Sequence, residues 1–274
     1  MKKMRGMVLA AGLLMVPSVA RAQLLPGELG EEAKWEEFLK TAAITAAEQR
    51  TGSEAVTNPY QLTLEKDGVK HFALWKDIDK AERGLPDRWR YEIAAYRMDR
   101  LLGLNMVPLT IERRYNENRG SLQLWEESQF NLKTKNDKKI GVPPRYSFGW
   151  NRAIFLQRAF DNLIANDDRH ANNILITQDW RMVLIDHSRS FRTSKKFTEK
   201  LIWTEKHPEG PRLMKELPRA FVEKLKGLTA EAIRGAVGEF LDEDEIKAVL
   251  LRRDLILAEI DRLIKKNGEE NTIY

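Results

Sequence analysis

Residues 166–176 read NDDRHANNILI: two carboxylates, a guanidinium, an imidazole and three amides in one polar knot, followed at once by an apolar run. Upstream, Trp150, Ile154, Phe155, Phe160, Leu163 and Ile164 recur at helical spacing, which predicts a long helix over Ser147 to Ala165. Downstream, Ile174–Thr177 and Met182–Ile185 are short apolar runs separated by the turn Gln178-Asp179-Trp180-Arg181, so they predict a small hairpin. If that hairpin pairs, Asn173 and Asp186 lie at the same end of it, beside the loop that holds Asp168. One amide oxygen and one carboxylate suit Mg²⁺, which takes few protein ligands and completes its shell with water and phosphate. Zinc is a poor fit, because the chain has no cysteine and its histidines (His71, His170, His187, His207) have no metal-ligand spacing. A further carboxylate opposite such a metal can orient a hydroxyl or accept its proton.

Taken singly, these residues are also ordinary turn formers: Asn172, Asn173 and Asp168 can cap a loop, and Asp186 can end a strand. Their joint order resembles something more specific. DRHANN followed by LIDHS is similar to the catalytic and metal-binding segments of the protein-kinase-like superfamily, in the variant of the phosphatidylinositol 3-/4-kinases and of the secretory-pathway (Fam20-type) and HipA-like kinases. The metal asparagine there follows the catalytic aspartate by five residues, as Asn173 follows Asp168, and the thirteen-residue step to Asp186 fits the phosphatidylinositol kinase pattern. The resemblance implies Asp168 as catalytic acid/base, His170 as a stabiliser of developing phosphate charge, and Asn173 and Asp186 as Mg²⁺ (or Mn²⁺) ligands. It also implies a strand lysine on the ATP α/β-phosphates and a helix glutamate holding that lysine. Lys76 and Glu92 match in order and element type, and Leu124-Trp125-Glu126 falls where an inter-lobe hinge would meet adenine. Two departures accompany the match. The stretch TGSEAVTN, where a phosphate-covering loop belongs, offers only Gly52, and Asp186 is followed by His187-Ser188 in place of Phe-Gly.

The remaining elements follow from period and punctuation. A helix is expected over residues 31–50 (Trp35, Phe38, Leu39, Ala42, Ala43, Ala46, Ala47), then a hairpin from Tyr60 to Lys76 turning at Asp67-Gly68. A helix over 87–102 should end at Gly103, with strands at Val107–Ile111 and Ser121–Trp125. Ile140 to Pro144 breaks regular structure and reads as a lobe boundary; helices near 229–240 and 242–266 close the chain, the second capped by Asp242 with Glu245 three residues on. The fold class is therefore α+β: a small β-rich lobe over 31–139 and a larger, mainly helical lobe over 140–274. Asp167 reads as a turn residue or helix C-terminal neighbour, His187 as a packed or hydrogen-bonded core histidine, and Trp35, Trp89, Trp150, Trp180 and Trp203 as core or half-buried packing.

The N-terminus, MKKMRG followed by MVLAAGLLMVPSVA and Ala20-Arg21-Ala22, reads as a secretory signal over residues 1–22, with Gln23 as mature start and a linker over 23–30. Export implies a secreted or periplasmic protein, and the absence of cysteine means that it folds without disulfides. Removing Lys2, Lys3, Arg5 and Arg21 takes the formal charge from +5 (46 minus 41) to +1. The basic balance therefore gives no support for specific nucleic-acid binding. One local basic run, Lys133, Lys135, Lys138 and Lys139, reads as a solvated loop, with contact to an anionic membrane surface as the other reading. Together these features predict an exported, ATP-dependent kinase that phosphorylates a hydroxyl acceptor. The rivals are an exported pseudokinase that acts as a binding scaffold, and a kinase-fold enzyme that transfers AMP.

Overall fold

The hairpin turn at Asp67-Gly68 places both residues in left-handed backbone (φ 50° and 78°), the conformation that a two-residue turn between twisted strands demands. It joins β2 (Tyr60–Lys66) to β3 (Val69–Lys76). This computed structural model describes residues 25–51, 58–82, 85–207 and 214–274; the expected signal segment and Gly52 lie outside the described residues.

Ahead of the hairpin come α1 (Pro26–Gly30), α2 (Glu32–Thr41) and β1 (Ala43–Gln49). The expected single helix over 31–50 is thus a helix and a strand. Trp35, Phe38, Leu39 and Ala42 give α2 its apolar face, but beyond Ala42 a continued helix would have had little left to bury. The chain turns extended at Ala42 (ψ 142°) and pairs along the open edge of β2, so ladder hydrogen bonds outweigh the helix preference of its alanines. The expected linker also contributes α1, with Pro26 at its first turn, where the missing N–H costs nothing.

After β3, a second hairpin of β4 (Asp79–Glu82) and β5 (Leu85–Arg88) leads into α3 (Trp89–Leu102), which Gly103 ends. β6 (Thr110–Tyr115) and β7 (Asn118–Leu124) complete an antiparallel sheet in the order β1-β2-β3-β7-β6. Both lie a few residues from their predicted bounds. Leu62, Leu64, Ala73, Trp75, Ile111 and Leu122 form one face of this sheet and close a core against α2.

The chain leaves the sheet at Leu124, and the Gln129 N–H already donates to the Ile176 carbonyl at 2.8 Å. β8 (Phe130–Asn131) then pairs with β9 (Ile174–Ile176), and α4 (Leu132–Asp137) packs on the loop before β9. Residues 130–137, which the sequence placed before a boundary at Ile140, therefore side with the helical half. Within α4, Lys133 pairs with Asp137 at 2.5 Å and Lys135 lies over the Trp150 ring, so part of the basic run is engaged locally.

The helical half is built on α5 (Pro144–Ile164), which leads through the polar loop to β9 and β10 (Met182–Leu184). It continues with α6 (Lys195–Thr198), α7 (Arg219–Lys226), α8 (Ala230–Val237) and α9 (Glu243–Asn267). The capping box at Asp242 and Glu245 forms as the sequence predicts. α5 and α9 pack together around Phe160, Leu163, Ile256 and Ile260, in the larger of two apolar clusters. α3 belongs to that cluster too and also contacts β6 and β7, so it joins the sheet to the helices. Among the described residues, no helix is long and apolar enough to cross a membrane.

Candidate active site

Lys76 is the last residue of β3 and Glu92 sits in the first turn of α3, and both side chains are buried. Lys76 Nζ donates to Glu92 Oε1 at 2.6 Å and to Asp186 Oδ1 at 2.7 Å. The other Glu92 oxygen, Oε2, accepts the main-chain N–H of His187 at 2.9 Å. One buried carboxylate thereby fixes both the lysine and the strand exit that carries Asp186. Burial opposes the Lys76 charge, but Asp186 and Glu92 outweigh it and raise the ammonium above its ordinary range. Burial likewise opposes ionisation of Glu92, yet the adjacent ammonium holds its carboxyl well below the usual range.

Asp186 itself adopts left-handed backbone (φ 62°), an uncommon state that aspartate tolerates better than most residues. Strained backbone of this kind collects at functional sites. Here it ends β10 and returns the carboxylate toward Lys76 and toward Asn173, whose Nδ2 lies 3.4 Å from Asp186 Oδ2.

The polar loop begins where α5 ends through left-handed Ala165. Asp168 is half-buried, its Oδ2 3.3 Å from a nitrogen of Arg189. Burial raises its pKa, Arg189 opposes that rise, and Asp186 reinforces it. His170 is exposed, with Nε2 3.3 Å from Asn173 Nδ2. Lys76, Glu92, Asn173 and Asp186 therefore form one hydrogen-bonded cluster; His170 joins it through Asn173, and Asp168 lies near enough for the Asp186 and His170 charges to act on it while it pairs with Arg189. Asp167 instead pairs with Arg192 at 2.8 Å, on the far side of the loop.

Leu124, Trp125 and Glu126 are not brought to this cluster. Lys76 pairs with Ser121 and Leu74 with Gln123, so these residues share one face of the sheet; Leu124 pairs with Ala73 and faces the other way. Trp125 spends its N–H on the Phe72 carbonyl, and its own carbonyl meets His71 Nε2 at 3.0 Å. The three residues border a separate cavity of about 930 Å³, also lined by Trp35, His71 and Asp179. Glu126 is pushed up there by burial and by Glu28. Element order alone suggested a hinge here; strand register turns the first of these side chains away from Lys76.

Sequence reasoning missed the residue that braces the loop. Arg169 is buried and donates to both carboxylate oxygens of Asp161 on α5 (3.1 and 3.3 Å), to the Asn173 carbonyl (3.0 Å) and to the Ile185 carbonyl (2.5 Å). One guanidinium thus ties the long helix to Asn173, one metal-ligand candidate, and to the residue before Asp186, the other. An aspartate on the buried face of α5, eight residues before an arginine, was the available signal. Gly120 was missed as well: a Cβ there would lie 2.4 Å from the Lys76 carbonyl and 2.7 Å from the Trp75 ring. His187 is fully buried, as expected, but neither ring nitrogen has a hydrogen-bond partner among the described residues. Burial and the Arg169 charge lower its pKa, against the opposing Glu92 carboxylate.

No protein-family model matches the sequence, and no curated protein matches it either. Among solved structures, the chain is similar to hydra Fam20, determined with sugar, at 15% identity over 93% of this chain and 95% of that one, with a TM-score of 0.63. It is also similar to CtkA, a proinflammatory kinase of Helicobacter pylori, at 12% identity over 85% of this chain and 97% of that one, with a TM-score of 0.48. The first likeness shows the fold: a two-lobed α+β kinase-like architecture, with a small antiparallel-sheet lobe and a mainly helical lobe.

Proposed function

We propose that this chain is an exported, atypical kinase that moves the γ-phosphoryl of ATP to a hydroxyl acceptor. The observation that carries the proposal is the Lys76 ammonium held between Glu92 and Asp186, with Asp168 and Asn173 on the adjoining loop. Lys76 would neutralise the nucleotide α/β-phosphates, and Glu92 fixes its position. The half-buried Asp168 carboxylate would orient the acceptor hydroxyl and take its proton.

Asn173 and Asp186 supply one amide and one carboxylate at neighbouring positions, and the Asp186 side chain is about one-third exposed (37%). That donor set fits Mg²⁺ or Mn²⁺, which leaves most of its shell to water and phosphate. Asn173 and Asp186 would hold such a cation, which would supply positive charge to offset that of the phosphates. Leu74 and Gln123, on the Lys76 face of the sheet, would adjoin the nucleotide in place of Leu124.

Within the superfamily, we place the chain with the secretory-pathway (Fam20-type) kinases, exported through residues 1–22. The lone Gly52 between β1 and β2 favours a second reading, a pseudokinase that binds without turnover. Radiolabelled ATP separates these readings when the full chain is incubated with Mg²⁺ or Mn²⁺ and mixed acceptors, with Asp186→Ala alongside. Transfer of γ-label that disappears in Asp186→Ala is the expected result. Transfer of α-label would replace it with AMP transfer, and a folded chain that transfers neither would leave the pseudokinase.

A further inference from the structure

Arg189 lies three residues past Asp186 and is absorbed by none of the roles above. Its Nε donates to Asp87 Oδ2 at 3.0 Å, and one terminal nitrogen reaches Asp168 Oδ2 at 3.3 Å. The guanidinium is about one-third exposed, whereas the Asp87 carboxylate is almost fully buried (4% exposed) and its Oδ1 has no partner among the described residues. Burying a carboxylate so incompletely satisfied is costly unless a cation faces it. Asp87 is the penultimate residue of β5, and the last, Arg88, donates its N–H to the Ser188 carbonyl at 2.8 Å. Both the side chain of Arg189 and the backbone just before it are therefore anchored to the β4–β5 hairpin.

The charges around Asp168 show why such an anchor matters. Lys76 is engaged by Glu92 and Asp186, His170 is exposed, and Asp167 and Asp186 add negative charge near Asp168. The described ion pair of Asp168 is with Arg189. The charges of both Asp168 and Asp186 act on this guanidinium, so a phosphoryl group passing from a nucleotide on Lys76 and Asp186 to a hydroxyl at Asp168 would meet its positive charge.

We propose that Arg189, held in place by Asp87, contacts the γ-phosphate and stabilises it during transfer. This rests on the phosphotransfer reading and adds a residue outside the motif positions assigned above. In the step, the acceptor oxygen forms a bond to γ-phosphorus with its own electron pair, its proton goes to Asp168, and the bond from γ-phosphorus to the β,γ-bridging oxygen breaks, releasing ADP. Arg189 donates hydrogen bonds to non-bridging γ-oxygens, stays charged throughout and exchanges no proton. Asp87 is a positioning residue, acting through Arg189.

The test compares Arg189→Ala, Arg189→Lys and Asp87→Asn with wild type in the full chain, measuring ADP and ATP affinity with Mg²⁺ and transfer of γ-label. In Arg189→Ala, ADP affinity should stay within about twofold while ATP affinity falls about tenfold, as expected for loss of a charge-assisted hydrogen bond. The turnover number should fall about 100-fold or more, with KM moving less than kcat. Arg189→Lys should recover part of that loss, and Asp87→Asn should reproduce a weaker form of it. Equal losses for ADP and ATP would reduce Arg189 to a structural prop and overturn the proposal; unchanged or increased turnover would overturn it too, the latter making the Asp168 contact a brake. If wild type transfers no label yet prefers ATP over ADP, loss of that preference in Arg189→Ala supports the γ-phosphate contact while phosphotransfer itself fails. A wild type that binds neither nucleotide sinks both.

Discussion

Lys76 and Glu92, sixteen residues apart, meet at 2.6 Å in a setting where both side chains are more than nine-tenths buried. Such a pair is dangerous to break from one side, because the remaining charge is left in a low-dielectric site. Lys76→Met should cost about 3–5 kcal/mol in urea denaturation, and adding Glu92→Gln should recover a large part of it. A double variant no more stable than Lys76→Met would show that packing, not the stranded carboxylate, causes the loss.

The same pair sets a pH window. Glu92 has a folded pKa depressed below 4.5, so its contribution is present above pH 4.5 and is lost as pH falls below it. Lys76 has a folded pKa raised above 10.5, so its contribution is present below pH 10.5 and is lost as pH rises beyond it. Chemical denaturation across pH should show both limbs in wild type and a smaller change at each end in the Lys76→Met/Glu92→Gln double variant.

Asp99 should slope the opposite way. It is fully buried in α3, accepts from the Met106 and Val107 N–H groups (2.9 and 3.3 Å) and pairs with Arg100. Burial outweighs these partners and pushes its carboxyl up to about 6. The folded state then holds a proton that the unfolded chain releases at 3.8, so stability falls as pH rises from 3.8 through about 6. Asp99→Asn should flatten that interval, whereas Asp99→Ala should cost about 1–3 kcal/mol by leaving two buried N–H groups unpaired. A pH profile for Asp99→Asn that superimposes on wild type between pH 4 and 6 would reject the assignment.

Arg169 and Asp161, at 1% and 0% side-chain exposure, brace the loop against α5. Asp161→Ala strands the guanidinium and should cost about 3–5 kcal/mol. The loss should be local before it is global: the Ile185 amide, which donates to the Asn173 carbonyl at 3.1 Å, should exchange hydrogen faster at denaturant concentrations where α9 amides stay protected. Uniform acceleration across both regions would mean that the pair stabilises the whole fold and has no special hold on the loop.

Gly120 lets β7 pass close to the end of β3. A methyl group there would strike the Lys76 carbonyl, and backbone cannot swing aside as a flexible side chain can. Gly120→Ala should therefore cost about 1–3 kcal/mol and weaken Mg²⁺–ATP binding by displacing Lys76. Undiminished nucleotide affinity in a destabilised variant would separate the strand contact from the site.

Local chemistry in the sequence determined much of this protein. Asp67-Gly68 could hardly be other than a tight turn, the apolar runs around residues 178–181 had to pair, and Asp242 with Glu245 specified the start of α9, because each signal lies within a few residues of its partner. The order of Lys76, Glu92, Asp168, Asn173 and Asp186 was legible through its resemblance to kinase segments: Lys76 and Glu92 sit at the end and first turn of readable elements, and the other three lie close to readable ones. What the alanines of residues 43–49 would become was not legible, since helix and strand compete closely there and only the open edge of β2 decides. The direction of Leu124 depended on a register set by a strand some fifty residues away, so element order could not supply it. Likewise Asp87 and Arg189 are separated by 102 residues, and Asp161 and Arg169 become a brace only when a helix end and a loop fold back on each other. The tertiary structure decided these points, because burying a charge fixes its partner by proximity in space, and a linear pattern carries no record of that proximity.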